Sequence, residues 1–86
     1  MAVDLHIGSV FVTDSNKEKK VVLDIHPDDE GGMVSFTLLD RDTPLCGECR
    51  ICNMIPAGEL TVEEMLTSPN KFIQKMGMER SLYRQQ

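Results

Sequence analysis

Tryptophan is absent from this sequence, tyrosine occurs once and phenylalanine three times in 86 residues. With so few rings to bury, the core must be built from Val, Leu, Ile and the six Met, whose unbranched thioethers fill irregular gaps. Long hydrophobic runs are missing as well. None approaches the roughly 18 residues of a membrane-spanning helix. Met1 to Val10 is interrupted by Asp4 and His6 and lacks the apolar stretch of a secretory signal. Basic residues are the scarcer charge: nine Lys and Arg against fourteen Asp and Glu leave a net charge of −5. That balance repels phosphate backbones, so nucleic-acid binding through a basic patch is not expected. Imitation of nucleic acid by an acidic surface is the converse option, but an excess this modest is what solubility alone requires.

Cysteine is sparse and odd in number, with Cys46, Cys49 and Cys52 close together. A secreted disulfide scaffold has an even, dispersed set. A reducing, cytoplasmic compartment is therefore expected.

A chain of 86 residues has room for one domain. Val3 to Thr13 alternates with period 2, placing Leu5, Ile7 and Phe11 on one side and Val10 and Val12 on the other, as in a strand. Asp14-Ser15-Asn16 ends it in a turn. Lys19 to His26 is a second strand, stopped by Pro27. Asp28-Asp29-Glu30-Gly31-Gly32 reads as a solvated turn, and Met33 to Asp40 as a third strand closed by Arg41-Asp42-Thr43-Pro44. Pro44 to Gly58 is the longest stretch without clear periodicity. Within it, Arg50 to Ile55 has the composition of a short fourth strand, and Pro56-Ala57-Gly58 of a turn.

From Leu60 the period changes. Thr61-Val62-Glu63-Glu64 is a capping box, with Leu60 and Met65 placed as a hydrophobic staple. Ser68-Pro69 should break the helix, Ser68 capping a second segment and Gly77 ending it. The expected core is Leu5, Ile7, Phe11, Val21, Leu23, Ile25, Val34, Phe36 and Leu38 from the sheet. Val62, Met65, Leu66, Phe72 and Ile73 join it from the helix.

Strands followed by a helix indicate an α+β fold. The expected form is a small antiparallel sheet, or a partly closed SH3-like β-barrel, of three to five strands followed by a C-terminal, Pro-interrupted helix. Residues 1–77 are the expected domain, and 78–86 a polar, frayed tail. The spacing of Gly8-Ser9-Val10, a short turn and Val34-Ser35-Phe36 resembles that of small SH3-like barrels. The resemblance implies that short strands curl until their edges approach.

Chemistry concentrates at Cys46-Gly47-Glu48-Cys49-Arg50-Ile51-Cys52, where two C-x2-C steps share a cysteine. Thiolates at this spacing can close on zinc, and Cys46, Cys49, Cys52 and His26 make a complete Cys3His ligand set, with His6 as a substitute. The run also resembles the start of a bacterial ferredoxin motif, but Pro56 stands where its fourth cysteine belongs. A redox pair beside Arg50 is the third reading, since a cation favours thiolate. No serine lies in a nucleophile elbow, and so short a chain has little material to enclose a site around the Asp24-Ile25-His26-Pro27-Asp28-Asp29 segment. An enzyme is not expected, nor a required cofactor, zinc being the one candidate.

The expected function is a small non-catalytic interaction module that binds a larger cytoplasmic protein. An accessory regulator or inhibitor of the kind carried by phages and other mobile elements is one such protein. The alternative is a zinc-stabilised or thiol-regulated domain using the cysteine cluster. Arg50, Ile51, Met54 and Ile55, in the segment before the helix, are the candidate partner-binding residues, because a long connection in a small domain is usually functional. Lys71, Lys75, Arg80 and Arg84 oppose the acidic turn, an asymmetry that can orient a partner or a second copy in a homodimer.

Overall fold

A computed structural model describes residues 5–40 and 45–84. Val3, the strand end at residues 41–44 and the last two residues of the tail lie outside these; residues 5–8, expected as strand, are not, and Ile7–Gly8 form a turn before the first strand. Among the described residues there are five strands: β1 (Ser9–Val12), β2 (Lys20–His26), β3 (Met33–Leu38), β4 (Cys46–Arg50) and β5 (Ile55–Glu59). Two helices follow, α1 (Val62–Leu66) and α2 (Lys71–Arg84). All pairings are antiparallel, in the order β4-β3-β2-β1-β5. The fold is a small α+β unit, an open five-stranded sheet with helices at its C-terminal end. No helix among the described residues is long and apolar enough to cross a membrane.

From Cys46 on, the segment expected to be mostly loop forms two strands and a turn. Cys46 to Arg50 pairs with β3, Ile51–Asn53 forms a 3₁₀ turn, and Ile55–Glu59 returns to pair with β1. The fourth strand thus lies earlier than Arg50 to Ile55, and Pro56 and Gly58 sit in a strand instead of a turn. An edge strand tolerates both, because one side of its ladder is free. All five β5 residues are exposed. Gly58 takes φ +115°, and the register shifts between Val10 and Phe11 opposite it.

The β4–β5 link bends the sheet. The register aligns Arg50 with Met33 and His26, at one end of β2. It places Ile55 beside Val12, at the Lys20 end. On a flat sheet these opposite corners would stand roughly 28 Å apart. Five Cα steps reach at most about 18 Å, and less when three residues form a 3₁₀ turn. The sheet must therefore fold over on itself. The register shift in β2 between Val22 and Asp24 supplies the bend.

Both faces of the central strands are buried, one by the fold-over and the other by the helices. On one face Phe11, Val22 and Val34 are enclosed with Phe36, Ile25, Ile51 and Met54 around them. Phe11 and Phe36 meet edge to face, their centroids 5.7 Å apart. Phe36 also lies over Gly47, where a Cβ would come within 2.7 Å of its ring. On the other face Val10 and Val21 pack with Met65, Ile73 and Met76. The one-faced alternation expected for β1 is therefore wrong: Val10 is buried with Phe11, and Ile7 is exposed. A sheet covered on both sides loses its alternating signature.

The capping box forms as expected: Thr61 Oγ1 accepts from the Glu64 amide at 3.1 Å, and Glu64 Oε1 from the Thr61 amide at 3.0 Å. The helix also breaks at Ser68-Pro69, but α2 is capped by Asn70 and not by Ser68. Asn70 Oδ1 accepts from the amides of Phe72 and Ile73, at 2.9 and 3.4 Å. Its Nδ2 donates to Thr37 Oγ1 at 2.9 Å and to the Leu38 carbonyl at 3.2 Å. One fully buried amide thus caps a helix and fastens it to β3. Gly77 does not end α2, and the helix runs through the expected tail to Arg84. A Cβ at Gly77 would sit 2.7 Å from Met65 Cβ and 3.0 Å from the Leu66 nitrogen, so this glycine serves close helix packing. With Ile73 and Met76 turned inward, Leu66 and Phe72 (each 37% exposed) are not the core residues expected.

Asn70→Ala removes the cap and strands two acceptors. Loss of about 2–4 kcal/mol is expected in urea unfolding, the sum of a typical cap and an unmet buried group. Asn70→Asp keeps the cap oxygen but sets a buried carboxylate oxygen against the Leu38 carbonyl, so it should not restore the lost stability.

Candidate functional site

The bend leaves a cleft of about 720 Å³ between the β1–β2 turn and the 3₁₀ turn. Thr13 to Asn16 form one bank, Cys52, Asn53, Met54 and Ile55 the other, and Lys20, Phe36 and Cys49 line it between them. The first bank is held by Thr13, whose amide donates to the Asn16 carbonyl at 3.1 Å and whose hydroxyl donates to it at 3.2 Å. Short polar side chains at a turn make such local bonds. The second bank is held by the Met54 amide, which donates to the Ile51 carbonyl at 3.1 Å.

Lys20 is the unusual member. It is only 4% exposed, and its Nζ donates to the carbonyls of Asn16 at 3.0 Å and Glu18 at 2.8 Å. The ammonium also stands 6.0 Å from the centre of the Phe11 ring. Among the described residues no carboxylate pairs with it. Sequence reasoning passed over Lys20, Phe36 and the Thr13 to Asn16 turn. The available signal was a lysine adjoining Val21 and Val22 in an apolar run.

Of the expected partner-binding residues, Arg50, Met54 and Ile55 line the cleft. Ile51 instead packs into the core beneath the 3₁₀ turn, its amide donating to the Gly32 carbonyl at 3.1 Å. Arg50 is already engaged. Its guanidinium reaches Asp28 at 2.6 Å and Glu30 at 3.3 Å, tying β4 to the acidic turn. Asp28 also accepts from the amides of Glu30 at 2.8 Å and Gly32 at 2.9 Å. These two amides, then Arg50, hold its carboxyl below the ordinary 3.8.

The candidate zinc ligands do not converge. Cys46 and Cys49 lie three positions apart on one strand, which puts them on opposite faces of the sheet. His26 aligns with Arg50 through Met33, so it shares the face of Cys46 but lies four positions along and two strands across, about 16 Å. Cys52 is in the 3₁₀ turn, and His6 is engaged with Glu59 at 2.5 Å. Zinc–sulfur bonds of about 2.3 Å cannot be made from these positions without unpairing β4. Among the described residues no other group of potential ligands gathers either.

Cys49 packs half-buried against Val34, and burial raises its thiol pKa above the usual 9.0, an effect that Lys20 partly opposes and Cys52 reinforces. Ser35, His26 and Asp24 share a face, with His26 Nε2 at 2.9 Å from Ser35 Oγ and 4.0 Å from Asp24. The same ring nitrogen faces both groups. A relay needs the carboxylate on one nitrogen and the hydroxyl on the other, so this trio does not assemble one.

No protein-family model, curated protein or solved structure matches this chain.

The electrostatic arrangement at Asp28 is open to titration. A carboxyl with a depressed folded-state pKa stabilises the fold above its unfolded value, and that contribution fades as the pH falls through the folded one. A carbon-13 NMR titration should place the Asp28 midpoint below 3.8. Arg50→Met should raise it only part of the way, because the two amides remain. The thiols provide a second check. Cys49, half-buried, should react with iodoacetamide at pH 8 more slowly than exposed Cys46 and Cys52, as mass spectrometry of the labelled chain would read.

Proposed function

We propose that this chain is a small, non-catalytic protein-interaction module, a regulator or inhibitor of a larger cytoplasmic protein, and that the cleft is its binding surface. The observation that supports this reading is the composition of the cleft. Phe36, Met54 and Ile55 offer apolar area and Ser15 and Asn53 offer hydrogen bonds, around a space of about 720 Å³. A methionine in such a surface adapts to its partner's shape. The fold-over of the sheet, with its two edge strands joined by a 3₁₀ turn, favours a partly closed SH3-like barrel as the scaffold that holds the two banks apart.

A second reading rests on Cys49 and Cys52. Both line the cleft, so oxidation of this pair, or modification of exposed Cys52, would alter the binding surface directly. In this reading the thiols regulate the module and do not replace its function.

Site-specific photo-crosslinking in cells tests the surface. A benzoylphenylalanine at position 55 should yield a discrete adduct with a second protein. The same group at position 82, on the exposed side of α2, should not. Adducts from position 82 alone, or equal adducts from both, would move the surface away from the cleft.

A further inference from the structure

The cleft has a neighbour. A pocket of about 180 Å³ lies under β5, lined by Leu5, Val10, Phe11, Met54 and Pro56 among others. Met54 belongs to both cavities. A ligand crossing Met54 would thus meet two chemically different environments, a cation on one side and a mostly apolar pocket, edged by Ser9 and Glu59, on the other.

The cation is the informative element. Lys20 is almost wholly withdrawn from water, and two backbone carbonyls take two of its three ammonium protons. A buried charge is normally matched by an opposite one, since its desolvation is otherwise only partly offset. Here the described residues supply none. Among the described residues, the negative charges lining the cleft are Asp14 and Glu48. Asp14 is turned toward Lys17, at 3.5 Å. The other cation lining the cleft, Arg50, is committed to Asp28 and Glu30. Among the described residues, Lys20 is therefore the cation lining the cleft that no carboxylate pairs with. Asp14 and Glu48 at the same cleft set a limit: a run of acids would be repelled, whereas a single carboxylate would not.

We propose that the cleft and the smaller pocket together receive an extended peptide segment carrying one isolated Asp or Glu beside an apolar residue. The carboxylate sits on the Lys20 ammonium, and the apolar side chain crosses Met54 into the pocket beneath Pro56. This rests on the interaction-module reading and specifies the partner's chemistry.

Selection of a random dodecapeptide library, displayed on phage, against the folded full chain is the test. Enriched peptides should share one acidic position next to an apolar one, with no second acid adjacent. A synthetic copy should shift the backbone amides of Asn16, Cys49, Asn53 and Gly58 in nitrogen-15 spectra. Its glutamine-substituted counterpart should bind at least tenfold more weakly, and Lys20→Met should cause a similar loss. Enriched peptides with no fixed acid, or equal binding of the glutamine peptide, would overturn the carboxylate anchor while leaving an interaction module in place. Shifts confined to α2 would overturn the cleft. No enrichment at all would overturn both readings. If Lys20→Met fails to fold, the acid and glutamine peptides compared on the unaltered chain still decide the matter.

Discussion

Five Cα steps between Arg50 and Ile55 govern this structure. They join corners of the sheet that a flat arrangement would hold much too far apart. Everything on the inner face follows from that shortage of chain. β2 bends at its register shift, and Phe11, Val22 and Val34 become enclosed. The 3₁₀ turn lies over them with Ile51 as its inward anchor. The cleft is what remains between this turn and the β1–β2 turn, so the candidate site is a by-product of the same constraint that forms the core.

The outer face obeys a different rule, close approach. Met65 is fully buried between two glycines. A Cβ at Gly8 would lie 2.7 Å from its terminal methyl, and one at Gly77 would lie 2.7 Å from its own Cβ. Asn70 sets the angle at which α2 leaves the sheet, because its amide bonds the helix N-terminus and β3 together. Buried amides of this kind are costly unless every group is met, and no buried side-chain nitrogen or oxygen among the described residues lacks a partner. A core short of aromatic rings thus gains its specificity from glycine contacts and one polar clamp.

Polar residues in the site divide by whether they are already satisfied. Arg50, conspicuous in the sequence beside two cysteines, is spent on the acidic turn. The three cysteines, equally conspicuous, are distributed over two faces and a turn. Lys20, inconspicuous between a polar turn and two valines, is the residue whose charge has no partner among its described neighbours. Spacing along the chain draws attention to the first four, and only register and burial identify the fifth.

The α+β class was legible because it depends on local periodicity: period 2 through β2 and β3, then the capping box at Thr61, whose bonds span only three residues. The break at Ser68-Pro69 was legible for the same reason. Local signals failed where tertiary contacts outweighed them. Pro56 and Gly58 are turn residues by propensity, but pair as an edge strand because β1 needs a second neighbour. Gly77 is a helix stop by propensity, but is needed inside α2 where Met65 leaves no room for a Cβ. Val10 and Val21 sit opposite Phe11 and Val22 in the alternation, and both sets are buried because the sheet is covered on each side. The sequence by itself determined that β2 and β3 extend and that α1 starts behind Thr61, since neighbouring residues decide those. Tertiary structure alone decided that the sheet folds over, that the thiols and His26 stay apart, and that Lys20 becomes a withdrawn charge beside a cleft. Each of these is set by residues brought together from distant parts of the chain.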